Sequence, residues 1–124
     1  MPVSKDYQAY VEELLAPLGA VVAKRMFGGV GMFCRERMFA LIADDVLYFK
    51  TNDSNRPAFE AADSGPFEYE TRNGTRGVMA YWRVPDEVLE NEDEIVAWGR
   101  RAIDVALAGA AKAQKQARGR KAGR

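Results

Sequence analysis

Four groups of residues in this 124-residue chain have side chains or backbone suited to chemistry. Asp44-Asp45 and the run Asp86, Glu87, Glu90, Glu92, Asp93 and Glu94 are carboxylates that could ligate a metal or work as a general acid/base pair. Cys34 could act as a nucleophile if a positive neighbour lowered its pKa. Gly28-Gly29-Val30-Gly31 invites comparison with loops that cradle phosphate. Lys112, Lys115, Arg118, Arg120, Lys121 and Arg124 put six cations and no acid into residues 112–124. Such a segment can neutralise phosphates in a salt-sensitive, sequence-independent way.

Context decides most of these. The chain has no histidine, which excludes Cys/His zinc sites and Ser-His-Asp or Cys-His catalysis. No calcium-loop spacing is present. Adjacent carboxylates in a turn are ordinarily solvated turn formers, and acids at a helix start serve its dipole. The glycine run is not followed by a helix or a Lys-Ser/Thr pair and lacks the G-x-G-x-x-G spacing, so it reads as a strand bend. Arg35 beside Cys34 points to the opposite face of a strand, which leaves Cys34 a structural cysteine. The basic segment has no aromatic residue for base stacking, so it carries no sequence readout. It serves equally well as a solubilising tail.

The size fits one domain of residues 1–111 followed by a basic, flexible tail of residues 112–124. Nearly half the residues are hydrophobic, so a core can form without a metal or disulfide staple, and the lone Cys34 cannot form an intrachain disulfide. Net charge is zero, but the first 111 residues hold 12 basic and 18 acidic side chains, a balance of −6. No apolar run approaches the roughly 18 residues of a membrane span, and a cytoplasmic location is expected.

The elements follow from periodicity. Ser4 is placed to cap a helix reaching Leu18-Gly19, with Tyr7, Tyr10, Val11, Leu14, Leu15 and Leu18 as its apolar stripe. Val21–Phe27 reads as a strand bent at the glycines and resumed at Met32-Phe33-Cys34. Arg35-Glu36-Arg37 and Asp44-Asp45 turn the chain into strands at Met38–Ala43 and Val46–Thr51. A short helix with Pro57 in its first turn and Phe59, Ala61 and Ala62 inside follows. Strands at Phe67–Thr71 and Val78–Val84, the second carrying Met79, flank an Asn73-Gly74 hairpin signal. Asn91 opens the last helix with a capping box to Glu94, and Ile95, Trp98, Ala102 and Ala106 line one face. That helix is expected to fray at Gly119. The class is α+β, in the order α-β3-α-β2-α, an antiparallel sheet packed with helices.

Arg25-Met26-Phe27-Gly28-Gly29-Val30-Gly31, Phe39-Ala40-Leu41-Ile42-Ala43-Asp44, Leu47-Tyr48-Phe49-Lys50, Pro66-Phe67-Glu68-Tyr69 and Tyr81-Trp82-Arg83-Val84-Pro85 carry a resemblance over about residues 4–111. In this combination the chain resembles the N-terminal domain of the TfoX/Sxy family, bacterial regulators of competence genes. The resemblance implies an α-β3-α-β2-α sandwich and structural roles for these motif residues. It offers no catalytic residues or cofactor. Two-domain members act as co-regulators of DNA-uptake genes with the cyclic-AMP receptor protein and carry a second, helical domain, in whose place this chain has its basic tail.

The expected function is therefore a non-enzymatic regulatory domain that contacts a protein partner or a second copy of itself. One face of the Met/Phe-rich sheet of Met26, Phe27, Met32, Phe33, Met38 and Phe39, or the last helix, would supply the surface, with the tail adding electrostatic attachment. The alternative is a nucleic-acid-associated protein using its tail. A carboxylate-based enzyme would need a pocket holding Asp44, Lys50, Arg83 or Tyr81. No small-molecule substrate and no membrane are expected.

Overall fold

In the computed structural model the described residues are 3–26 and 28–122, with side chains described for these apart from Met79 and residues 110–122. Ser4 caps α1 (Lys5–Leu15) through its Oγ, which accepts from the Tyr7 amide at 3.0 Å. The Ser4 amide donates to Asp45 Oδ1 at 2.8 Å, tying the helix start to a distant turn. Val11 and Leu15 are buried, whereas Tyr10 is 41% exposed and Leu14 half-buried. The buried stripe is narrower than the spacing suggested, because α1 lies on the flank of the molecule. Pro17 converts the end of the helix into a 3₁₀ turn (Ala16–Leu18), and Gly19 leaves it at φ +99°.

Six strands follow in one antiparallel sheet: β1 (Val21–Met26), β2 (Gly29–Cys34), β3 (Arg37–Ala43), β4 (Val46–Lys50), β5 (Pro66–Thr71) and β6 (Gly74–Arg83). Their spatial order is β1-β2-β3-β4-β6-β5. The α+β class and the antiparallel sheet packed with helices are as expected, with one correction. Residues 21–34 are not one bent strand but a hairpin, so four strands precede the next helix rather than three. Met26 pairs with Gly29, and Gly28, at φ +77°, supports this two-residue reversal. Phe27 lies outside the described residues.

The next two turns reverse on residues that are not glycine. Arg35 and Glu36 (φ 51° and 65°) and Asp44 and Asp45 (φ 51° and 56°) all have positive φ, the requirement of tight hairpin turns that match the sheet twist. Asp tolerates this region better than Arg or Glu. Glu36→Gly should therefore raise stability by about 0.5–1 kcal/mol, read as a higher urea midpoint at constant m-value. In the last hairpin Gly74 (φ +109°) follows Arg72-Asn73 and pairs with Thr71, so it stands at the first strand position after the turn and not at the turn's centre.

Antiparallel partners share a face, and the register assigns both faces. One row runs Ala23, Met32, Ala40, Phe49, Trp82 from β1 to β6; the next runs Lys24, Gly31, Leu41, Tyr48, Arg83 on the opposite side. The first face carries the main core. It packs against α1, α2 (Arg56–Ala61), α3 (Asp86–Leu89) and α4 (Glu92–Ala122), burying Phe39, Phe49, Phe59, Leu15, Met32 and Ile95. In α2, Phe59 meets Trp98 edge-on at 4.8 Å, while Ala61, expected inside, is exposed.

Asn91 caps α4, its Oδ1 accepting from the amides of Asp93 (3.1 Å) and Glu94 (3.0 Å). The expected capping box is not made: the Asn91 amide donates to Val88 O, and Glu94 Oε2 instead accepts from Trp98 Nε1 at 3.1 Å. Trp98 is correspondingly only half-buried. Gly99 takes its place at the sheet, where a Cβ would lie 2.8 Å from Leu18 Cδ1 and 3.6 Å from Phe49 Cζ. The helical backbone continues to Ala122, past Gly119.

Candidate functional site: the open face of the sheet

The second hydrophobic cluster comprises Ala43, Phe67 and Tyr81 with Met38, Leu41, Tyr48, Val78 and Ala80 packed against them. Every member belongs to a strand. Helices cover one side of the sheet, and among the described residues no helix contributes to the other.

Alternation along β1 and β4 places Val22, Lys24 and Met26, then Val46, Tyr48 and Lys50, on this open side. A hollow sits at Gly31, where a Cβ would come within 2.8 Å of Met38 Sδ, 3.0 Å of Phe33 Cε1 and 3.3 Å of Met26 Cε. Three flexible or aromatic side chains thus fill the space over one glycine. This accounts for the glycine at position 31. At Gly29 the approach is to backbone, a Cβ lying 2.7 Å from Ile42 O.

Towards β5 the face is aromatic. The Tyr48 and Phe67 rings meet edge-on at 5.0 Å, and Phe67 stacks with Tyr69 at 6.2 Å. Pro66 pairs with Trp82 but Phe67 with Val78, so residues 79–81 form an irregularity in β6 that folds Tyr81 into the cluster. Tyr81 is 8% exposed and its hydroxyl donates to Met38 O at 3.3 Å. Burial pushes its phenol from 10.0 up to about 12. Burial also raises Tyr48, with Asp44 and Glu68 adding to the rise and Arg83 opposing it.

The folded pKa of Tyr81 lies above the unfolded one, so its contribution to stability is complete below pH 10 and is lost as pH rises towards 12. Stability measured by urea unfolding should be flat through neutral pH and fall above about pH 10. Tyr81→Phe should fall less steeply over that window, and identical slopes would contradict the burial of this hydroxyl.

Two lysines cover the rings. Lys24 Nζ lies 5.0 Å from the Phe33 ring centroid and Lys50 Nζ 5.8 Å from that of Tyr81. Their stems shield apolar surface while the ammonium groups stay in water. Such covers are displaceable, since long flexible side chains can swing aside without disturbing the backbone.

The other residues singled out by sequence fall as follows. Arg25, at the sheet edge, donates to Val3 O at 3.4 Å. Phe39 is core, and Pro85 leads into α3. Asp44 and Asp45 are exposed turn residues, and Asp45 anchors Ser4. Lys50 and Tyr81 adjoin on the open face, with Arg83 in the next row. These and Asp44 do not converge on a cavity: Asp44, Lys50 and Tyr81 line none of the larger ones, and Arg83 lines a shallow one with Asp86 and Glu87. Among the described residues no three His, Cys, Asp or Glu side chains gather as metal ligands. Cys34 is half-buried and packs at the edge of the main core. The side chains of Lys112, Lys115, Arg118, Arg120 and Lys121, and all of Arg124, lie outside the described residues. Val22, Lys24 and Arg83 were not recognised as surface residues of this site, although period-two alternation in 21–26 was the available signal.

No helix among the described residues is long and apolar enough to cross a membrane. A search of curated proteins finds no match. The family model for the TfoX N-terminal domain matches residues 13–106, a span that runs from α1 through all six strands and into α4. The chain belongs to the TfoX N-terminal domain family.

Proposed function

We propose that this domain is a non-enzymatic regulatory module that binds a protein partner through the open face of its sheet, in the manner of a competence-regulator domain. The observation that supports this reading is the apolar surface of the open side: Met38, Leu41 and Tyr48 of the second cluster, with Met26 and Phe33 beside Met38 over Gly31, are half-buried and have no helix over them among the described residues. Monomeric proteins rarely leave such a face without a use. Methionines adapt to a partner's shape, and Lys24 and Lys50 can leave their rings to pair with acids on it.

The same observation argues against a stacking platform for single-stranded nucleic acid. Tyr81 and Phe67 are buried within the cluster, Phe67 edge-on to Tyr48, and the lysines already lie over the Phe33 and Tyr81 rings. The test is capture from native lysate with wild-type protein and with Met38→Lys/Leu41→Lys. The variant should keep its circular dichroism and lose the captured species by about tenfold or more, since a central contact of this kind contributes roughly 2 kcal/mol. A species retained in full by a folded variant would sink the proposal.

A further inference from the structure

A groove runs along the side of α4 remote from the open face. At its start a cavity of about 380 Å³ lies between α1 and α4, lined by apolar Tyr10, Leu14, Pro17 and Val96 and by the acids Glu13 and Glu92. Further along the same side, Ile103 and Leu107 line a second cavity of about 250 Å³ together with Arg35, Arg100 and Asp104. Arg100 donates to Pro17 O at 3.3 Å, and Pro17 lines the first cavity. The groove is thus acidic at the start of α4 and mixed towards the middle of the helix, where Ile103 and Leu107 stand beside charged side chains.

The chain carries one segment of matching chemistry. Residues 110–122 read AAKAQKQARGRKA, alanines interleaved with cations, and their backbone continues α4. Ala108 and Gly109 are exposed, and a Cβ at Gly109 would meet nothing within 4 Å. The segment cannot reach its own groove, because α4 is continuous and the cations of residues 112–121 lie about 25–40 Å along it from Glu92 and Val96. A second copy has no such constraint.

We propose that the groove receives the basic C-terminal part of α4 from a second copy, the two copies exchanging these segments reciprocally with their α4 helices antiparallel. Setting Glu92 and Val96 of one copy opposite residues 115–121 of the other puts the symmetry axis near Ala106. Ile103 and Leu107 then adjoin the alanines of the partner helix, and Glu13 and Glu92 meet its cations. This interface is separate from the open sheet face and leaves it free.

The test is a charge exchange followed by sedimentation equilibrium of the full chain. Wild type should be a dimer at about 0.05 M salt, and its dissociation constant should rise about tenfold or more by about 0.5 M. Glu13→Lys/Glu92→Lys should be monomeric alone, as should Lys115→Glu/Arg118→Glu/Lys121→Glu, each with unchanged circular dichroism. An equimolar mixture of the two should restore the dimer, because both exchanged contacts are then complementary. A monomeric wild type at low salt overturns the proposal. So does a dimer that survives both charge reversals, which would place association elsewhere, or a mixture that stays monomeric. A wild type that binds duplex DNA at low salt without dimerising overturns it too, and assigns the cations to phosphate. Met38→Lys/Leu41→Lys should leave the dimer unchanged; its loss there would move self-association to the sheet face.

Discussion

Phe49→Ala should lose about 3–5 kcal/mol of stability, a large part of the roughly 5–15 kcal/mol that a domain of this kind possesses. Phe49 is completely buried in the middle of the helix-side row, between Ala40 and Trp82. Its ring lies 6.3 Å from that of Phe39, and its Cζ faces Gly99, where α4 comes closest to the sheet. Truncation leaves a cavity that rigid strands on one side and a 31-residue helix on the other cannot collapse to fill. The neighbouring substitution Tyr48→Ala removes a ring of similar size from the opposite face and should be less costly, because Tyr48 is only half-buried and has no helix above it. Urea unfolding of the pair measures the difference. Equal losses would mean that the two faces of the sheet had been assigned wrongly.

Gly29→Ala should be nearly as damaging as an overpacked core, at about 1–3 kcal/mol. The added methyl would stand 2.7 Å from Ile42 O, a backbone atom held in the β2–β3 pairing, so relief requires one strand to move away from the other. Gly99→Ala is the control. Its nearest contact is equally short, 2.8 Å, but the atom is Leu18 Cδ1, the end of a side chain that can rotate. Alanine is also the better helix former by about 1 kcal/mol. The two substitutions should therefore separate clearly in thermal midpoint, with Gly29→Ala well below wild type and Gly99→Ala close to it.

What the sequence displayed and what it hid divide along physical lines. Contacts of short range were legible. Ser4 and Asn91 cap their helices because an N-cap needs only a side-chain oxygen and amides two or three residues on. The turns at Arg35-Glu36 and Asp44-Asp45 stood out as polar breaks between apolar runs. The reversal between β1 and β2 did not, since the glycines there suggested a bend in one strand. Glu94 had the spacing of a capping box, but Trp98, one turn on, competes for its carboxylate.

Faces were harder. Tyr10 and Trp98 sit at buried-stripe spacing, yet how far each turns inward depends on elements distant in sequence. The same holds for the open face, where Leu41 stands in a nearly all-apolar strand whose two faces look alike until the helices are known to cover only one side. Of the motif residues, Gly29, Gly31, Phe39 and Phe67 occupy structural positions that explain their identity. Lys50 and Tyr48 are on the surface that the functional proposal uses.

The central claim is that this open face is where a protein partner sits, and site-specific photo-cross-linking tests it most directly. A photoreactive residue replacing Leu41, in the middle of the open row, should cross-link to the captured partner in native lysate. The same residue at Glu60, an exposed position on the helical side, should not. Cross-links from position 60 with none from position 41 would contradict the account.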